Sequence, residues 1–213
     1  MRDLQAARRA PLNPSAADEP AGATGADVET SPVVPERRPR LWPLFASVAL
    51  LGLSLDVVTK VVAVRSLEPG VAVPVVGNLL TLRLIRNPGA AFGLGAGFTW
   101  VFAVAAVLVL AFVGVRLVPR LGHVGWTVAL GLLVAGVAGN LADRIFRPPG
   151  PFRGHVVDFL QLPRWPIFNM SDICITSAAV LIVVLSLVKN VGLDGRRPGD
   201  EASDVTPADP ASA

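Results

Sequence analysis

Two aspartates stand out in the stretch GHVVDFLQLPRWPIFNMSDICI, which covers residues 154–175. Asp158 and Asp172 lie among apolar residues, and neither has a cationic neighbour in the sequence. Burial raises the pKa of a carboxyl group, and two nearby carboxylates push their titrations apart. One aspartate of such a pair activates a water molecule, and its protonated partner supplies a proton to the leaving nitrogen of an amide. The spacing of the two residues is by itself only a weak indication of this chemistry.

Other polar residues fall at the same side of the predicted membrane segments as this pair. Charged residues inside a membrane segment are rare and usually mark a functional interior. Because these polar residues are predicted at the same depth in the membrane, a single shared site is favoured over several unrelated positions. The additional candidates are Asp56, Lys60, Asn87, Asn140, Asp143, Arg144 and Asn169.

Spacing suggests supporting roles for several of these candidates. Asp56 and Lys60 are four residues apart, which predicts an ion pair along one side of a helix; direct substrate contact is the alternative. Arg144 follows Asp143 directly, which predicts a cation that keeps this carboxylate ionised and a supporting role for Asp143; direct chemistry is the alternative. Asn169 or Ser171 is expected to cap the helix that contains Asp172.

Four apolar runs could position these side chains, because a spanning helix needs about 20 residues. They cover residues 41–64, 98–115, 121–142 and 173–188. We therefore predict an α-helical integral membrane protein with four transmembrane helices. Its domain is expected to cover residues 39–192, between disordered tails at 1–38 and 193–213. The ERRPR cluster before the first run favours tails on the cytoplasmic side, although basic residues flank both sides almost equally.

Alternating apolar residues predict strands in the two long loops opposite the tails. NLLTLRLIR at 78–86 reads as one strand, and VAVPVV at 71–76 could pair with it through a turn at Gly77 and Asn78. Pro74 suggests that the strand at 71–76 lies at a sheet edge. Residues 155–159 alternate in the same way. We expect a small β-sheet on the outer membrane surface.

Composition agrees with the membrane class. The chain has 213 residues, of which 52% are hydrophobic and 16% are charged, against about 25% charged residues in soluble domains. The net charge of +3 is too small and diffuse to indicate nucleic acid. A single cysteine, Cys174, rules out internal disulfides and is expected to be a buried apolar residue. The two histidines are expected at different faces, which argues against a His-rich metal site.

Five segments together resemble the bacterial lipoprotein signal peptidases, also called signal peptidase II. The segments are DVVTK at 56–60, RNPGAAFG at 86–93, GNLADR at 139–144, HVVDF at 155–159 and FNMSD at 168–172. They occur in the family's order, and the resemblance covers residues 41–190. Two departures are visible: Val57 stands where glutamine is usual, and Ser171 stands where alanine is usual.

The resemblance implies an aspartic endopeptidase of the bacterial cytoplasmic membrane that needs no metal or cofactor. Its substrates would be prolipoproteins whose cysteine already bears diacylglycerol, and cleavage would occur just before that cysteine. Asp158 and Asp172 would be catalytic, and the other seven candidates would bind substrate or support the site. The resemblance also implies cytoplasmic termini, an active site near the outer face, contacts with membrane lipids, and inhibition by globomycin.

Two other classes of protein are compatible with buried carboxylates. A proton-coupled transporter would use them as a relay, but it should have polar residues through the whole membrane depth, whereas the middles of the last three apolar runs are nearly all apolar. A non-catalytic membrane scaffold gives no reason for a pair of uncompensated aspartates. The sequence thus favours the protease.

Overall fold

The computed structural model describes residues 41–89 and 95–196. The predicted tail at 1–38 and most of the predicted tail at 193–213 lie outside the described residues. Within these residues, four helices are long and apolar enough to cross a membrane, as the apolar runs predicted. They are α1 (Trp42–Ser66), α2 (Thr99–Phe112), α3 (Val124–Phe146) and α4 (Met170–Val183). α2 continues through irregular helical turns to Arg120, and α4 continues to Val188.

α3 is the central helix, and it packs against each of the other three. Glycines allow the closest of these approaches. A Cβ atom on Gly136 would clash with the backbone oxygen of Ser171, and one on Gly139 would clash with the Ser171 hydroxyl and the Asp56 carboxylate. Small residues are typical where membrane helices pack closely. The sequence GVAG therefore draws α4 and α1 onto α3 near the end that contains the polar candidates.

α1 and α2 expose large apolar side chains outward, as expected for helices that face lipid. Leu50 on α1 is 63% exposed and Leu108 on α2 is 64% exposed. Lipid is as apolar as these side chains, so their exposure has no cost in a membrane. Polar groups are instead buried between the helices, which is the reverse of the pattern in a soluble bundle.

A three-stranded antiparallel sheet lies at one end of the helices, in the order β1-β2-β3. The strands are β1 (Ala72–Val76), β2 (Leu80–Asn87) and β3 (Val156–Gln161). β1 and β2 form the predicted hairpin, and Pro74 lies in an edge strand, where its missing N–H group is tolerated. The predicted sheet is therefore confirmed.

The sheet is fixed to α1 by a small apolar cluster of Ala63, Leu84, Val157 and Phe159. Successive residues of a strand point to opposite faces, so these contacts direct Asp158 to the other face of β3. In the β2–β3 register, Asn87 is paired with Val156 and Ile85 with Asp158. The sheet thereby brings the end of β2 beside the strand that contains Asp158.

Candidate active site

The structure brings all nine predicted site residues into one hydrogen-bonded network. α1 contributes Asp56 and Lys60, the end of β2 contributes Asn87, α3 contributes Asn140, Asp143 and Arg144, β3 contributes Asp158, and the start of α4 contributes Asn169 and Asp172. Every one of these side chains bonds to another member or to its backbone. The expectation that they share one end of the helices is confirmed.

Lys60 lies between two carboxylates in the most buried part of this network. Its ammonium nitrogen is 2.9 Å from an oxygen of Asp56 and 2.9 Å from an oxygen of Asp143. Only 1% of the Lys60 and Asp56 side chains is exposed. Burying a charge without a partner is very unfavourable, so two carboxylates around one ammonium stabilise this arrangement. The predicted pair of Asp56 and Lys60 is confirmed, and Asp143 joins it.

Arg144 interacts with Asp143 through its charge, as predicted, but it forms no ion pair in contact with this carboxylate. Consecutive residues of a helix do not face one another, whereas residues four apart do. The cations that contact Asp143 are accordingly Lys60 and Arg147, the latter four residues along α3. Arg147 was missed in the sequence, although the spacing that identified Asp56 and Lys60 also identifies this pair. The second oxygen of Asp143 also accepts a hydrogen bond from the backbone N–H of Val157, which ties α3 to β3.

Arg144 instead connects α3 to the chain that follows β2. Its guanidinium donates to the backbone oxygens of Asn140, at 3.2 Å, and Gly89, at 3.1 Å. It also lies over the ring of Phe102, 5.6 Å from the centroid. Such a cation over an aromatic face is stabilised by the ring quadrupole. Arg144 therefore fixes both the Gly89 segment and α2 beside the network.

Asp158 and Asp172 receive hydrogen bonds from neutral amide groups, in contrast to Asp56 and Asp143. Asn87 and Asn169 donate to the two oxygens of Asp158, at 2.9 and 2.7 Å. Asn140 donates to Asp172 at 3.0 Å. Within the described residues, neither aspartate forms an ion pair within 4.0 Å. The pair is therefore held in place without a neutralising cation in contact.

Asn169 joins the two aspartates and also begins α4. Its side-chain oxygen accepts from the backbone N–H of Asp172, while Asp172 accepts from the backbone N–H of Asn169. This reciprocal capping box satisfies two N–H groups that the helix leaves unpaired. Of the two predicted caps, Asn169 is the one that the structure uses. The same residue therefore starts the helix and donates to Asp158.

The surroundings of Asp158 favour its protonated form. Only 2% of the residue is exposed. The pKa of this carboxyl is raised from 3.8 to about 6. Burial and the charge of Asp172 raise the pKa, whereas the hydrogen bonds from Asn87 and Asn169 and the charge of Lys60 lower it. Removal from water is the largest of these effects. Asp158 can thus exchange a proton near neutral pH.

Ser171 occupies a tightly packed position behind Asp172. Its backbone N–H donates to Asp56 at 2.9 Å. Its hydroxyl is fully buried, and it has no hydrogen-bond partner among the described residues. Val57, the other departure from the family pattern, is 44% exposed on the outer side of α1. The two departures thus fall in different environments, and only Ser171 lies within the site.

A cavity of about 480 Å³ opens onto the aspartate pair. Asp158, Asp172, Asn140 and Arg144 contribute its polar groups. An apolar wall comes from the loop between β3 and α4, and was missed in the sequence: Trp165, Pro166, Ile167 and Phe168. A proline-flanked aromatic loop between two predicted catalytic residues was the available signal. A mostly apolar cavity with a few convergent polar groups is typical of a substrate site.

The described part of the chain holds no group of three or more His, Cys, Asp or Glu side chains arranged to bind a metal ion. Cys174 is a buried free cysteine, as predicted. The polar groups that line the cavity are the carboxylates of Asp158 and Asp172, the amides of Asn87 and Asn140, and the Arg144 guanidinium.

Residues 48–188 match the family described as Signal peptidase (SPase) II. The chain belongs to the signal peptidase II family. Relatives include the lipoprotein signal peptidases of Mycobacterium avium, 45% identical over 80% of this chain and 88% of that protein, and Mycolicibacterium smegmatis, 45% identical over 89% and 82%. That of Mycobacterium tuberculosis is 43% identical over 88% and 90%.

Solved structures support the same assignment. A bacterial membrane enzyme determined by the in meso method at 2.3 Å resolution is 25% identical, with a TM-score of 0.59 over 78% of this chain and 94% of that one. A second, determined at 1.9 Å resolution, is 27% identical, with a TM-score of 0.58 over 68% and 93%. This signal peptidase II family member is thus a membrane-embedded protease.

Proposed function

We propose that the protein is an aspartic endopeptidase that removes signal peptides from diacylglyceryl-modified prolipoproteins, cleaving just before the lipidated cysteine. The observation that carries the proposal is the pair formed by Asp158 and Asp172. Both line one cavity, both are held by asparagines, and neither contacts a cation among the described residues. The names of the relatives at 43–45% identity support lipoproteins as the substrates.

In the proposed reaction, one aspartate of the pair is ionised and removes a proton from a water molecule. The water oxygen bonds to the carbonyl carbon of the scissile amide, and the π electrons of the carbonyl bond move to the carbonyl oxygen. As the carbon–nitrogen bond breaks, the protonated aspartate supplies a proton to the leaving nitrogen, so charge and atoms balance. The two carboxyls titrate as one coupled unit, and either of them can act as the base.

The remaining polar residues are proposed to support this chemistry. Asn87, Asn140 and Asn169 orient the carboxylates, and the amide of Asn140 is also placed to polarise a substrate carbonyl. The ion pairs of Asp56, Lys60 and Asp143 hold α1 to α3 beneath the pair. Arg144 holds the Gly89 segment at the cavity rim.

We also propose that the protein resides in the bacterial cytoplasmic membrane with both termini in the cytoplasm. The four spans found among the described residues put the start of α1 and the end of α4 on one side. The aspartate pair lies at the opposite ends of the helices, beside the sheet. A lipid-anchored prolipoprotein would then reach the cavity from the outer leaflet, with its acyl chains against the exposed apolar faces of the helices.

The test uses purified full-length protein in detergent with a diacylglyceryl-modified prolipoprotein, and cleavage is followed by gel shift and mass spectrometry. We expect Asp158→Asn and Asp172→Asn each to lower the rate by at least about 10³-fold, because each removes a proton-transfer group. Thermal unfolding of the variants checks that they remain folded. Cleavage at the wild-type rate by either variant, or at a different peptide bond, contradicts the proposal.

Three controls make the test specific. The substrate without its diacylglyceryl group should be cleaved far more slowly, and globomycin should inhibit the wild-type protein. Val57→Gln, which restores the family's usual residue on the outward side of α1, should retain full activity.

A further inference from the structure

A second cavity lies beside the outer end of α2 and takes no part in the chemistry proposed above. It has a volume of about 340 Å³ and is lined by Gly97, Thr99, Trp100, Pro149, Arg153 and His155. Two of the lining side chains, Arg153 and His155, are cationic or can become so. None of the lining residues is a carboxylate. The cavity therefore suits an anionic group.

The cationic side chains of this cavity are available to a ligand. Arg153 is exposed and His155 is half-buried. Neither side chain forms a hydrogen bond or an ion pair within the described part of the chain, in contrast to the buried cations Lys60 and Arg144. Arginine binds phosphate oxygens through two parallel N–H groups, and an imidazole can supply a further donor. The donor set matches a phosphate group.

The position of α2 indicates which phosphate would reach the cavity. The span Thr99–Arg120 has 22 residues and is the most apolar of the four helices. Only 11% of the residues in its most apolar stretch are buried within the protein. At about 1.5 Å per residue, it matches a hydrocarbon core of about 30 Å. Thr99 and Trp100 therefore lie at the boundary between the hydrocarbon and the headgroups. Trp100, which is 50% exposed, is typical of the aromatic belt at that depth.

We propose that this cavity binds the phosphate group of an anionic phospholipid, with Arg153 and His155 as its ligands. Headgroup phosphates are present at this depth at high local concentration, and the acyl chains of such a lipid would lie along the exposed surface of α2. The site also adjoins the chain that enters the catalytic network: the Thr99 hydroxyl donates to the backbone oxygen of Pro88, the residue after Asn87. A lipid bound here would brace that segment.

The experiment measures lipid retention and is independent of peptide cleavage. Full-length protein is reconstituted in nanodiscs of phosphatidylcholine and phosphatidylglycerol, and bound lipid is identified by native mass spectrometry after release. We expect the wild type to retain phosphatidylglycerol selectively, since choline neutralises the charge of its own phosphate. The double variant Arg153→Gln/His155→Gln should retain about tenfold less, as expected for the loss of charge-assisted hydrogen bonds.

Arg164→Gln is the matched control, because Arg164 is an exposed arginine at the same end of the helices but does not line this cavity. It should retain lipid like the wild type, and Arg153→Lys should keep most of the retention. Thermal unfolding in detergent should show that the double variant is folded. Equal retention by the double variant and the wild type overturns the proposal. A second result also overturns it: inorganic phosphate buffer removes the lipid from the wild type, and Arg164→Gln loses as much lipid as the double variant. Retention would then depend on general charge attraction and not on this cavity.

A peptide ligand would give a different result. If the double variant retains lipid normally but binds a prolipoprotein with acidic residues after its cysteine more weakly, then the cavity binds the substrate and the lipid proposal is wrong.

Discussion

Two pairs of aspartates lie within one network, and they are held in opposite ways. Asp56 and Asp143 surround the ammonium group of Lys60, and Arg147 also contacts Asp143. Asp158 and Asp172 receive amide donors from asparagines instead. A carboxylate beside a cation stays ionised, whereas one held by amides in a buried site can take up a proton. Contact with a cation, which only Asp56 and Asp143 have among the described residues, therefore separates the carboxylates that hold the helices together from those proposed to act on substrate.

The strongest challenge to this comparison is removal of the shared cation. Lys60→Met keeps the length of the side chain but leaves Asp56 without its cation. We expect a loss of about 3–5 kcal/mol in the free energy of unfolding, because breaking one partner of a buried pair strands the other charge. Thermal or denaturant unfolding in detergent measures it. The double variant Asp56→Asn/Lys60→Met should recover part of this stability, and a single variant as stable as the wild type contradicts the structural role.

The second prediction concerns the pH dependence that Asp158 contributes. Its pKa is raised to about 6 in the folded protein, so the folded state binds this proton more tightly than the unfolded chain does. The resulting stability is fully present below a pH of about 4 and is lost as the pH rises to about 6. Asp158→Asn cannot lose a proton, so its stability relative to the wild type should increase over that interval by up to about 3 kcal/mol. Unfolding of both proteins across this pH range measures the difference. A difference that stays constant, or falls with pH, refutes the assignment.

The third prediction separates the two tasks of Asn169. Asn169→Ala removes the helix cap and should cost about 1 kcal/mol of stability. Asn169→Ser keeps an oxygen that can cap α4 but has no amide to donate to Asp158, so it should be more stable than the alanine variant. Both should have lower activity. In the serine variant the loss of this donor should shift the limb of the pH–rate profile that Asp158 controls to higher pH, because the hydrogen bond from Asn169 lowers the pKa of Asp158. An unshifted profile with full activity would show that Asn169 acts only as a cap.

The smallest effect is expected at Ser171, behind the pair. Its hydroxyl is buried without a partner among the described residues, and such groups are unfavourable. Ser171→Ala should therefore be neutral or more stable by up to about 1 kcal/mol, with unchanged cleavage. Ser171→Val, which adds bulk beside Gly139, is the contrasting variant and should be destabilised. A marked loss of activity in the alanine variant would assign the hydroxyl a role in the site.

Local patterns in the sequence were sufficient for the elements that position the site. Apolar runs gave the four helices, alternation gave the strands, and spacing gave the pair of Asp56 and Lys60. Each of these depends on residues within a few positions of one another. The same rule, applied to Asp143, also gives Arg147.

Contacts between residues that are far apart in the sequence could not be predicted from local spacing. Lys60 reaches Asp143 and Asn140, and Arg144 reaches the backbone of Gly89, because α1, α3 and the segment after β2 pack together. Periodicity carries no information on which helices become neighbours. The glycines Gly136 and Gly139, which set the approach of α3 to α4, gain their meaning only from the packed structure.

The capping box at the start of α4 has a consequence for the synthesis of the protein. Asn169 and Asp172 belong to the last described helix, and Asn169 closes the link to Asp158 only once that helix has begun. Three inserted helices and a complete sheet would still lack half of the aspartate pair. Under the proposed mechanism, a chain emerging from the ribosome would therefore cleave no substrate until the last span among the described residues, which begins at Met170, has entered the bilayer.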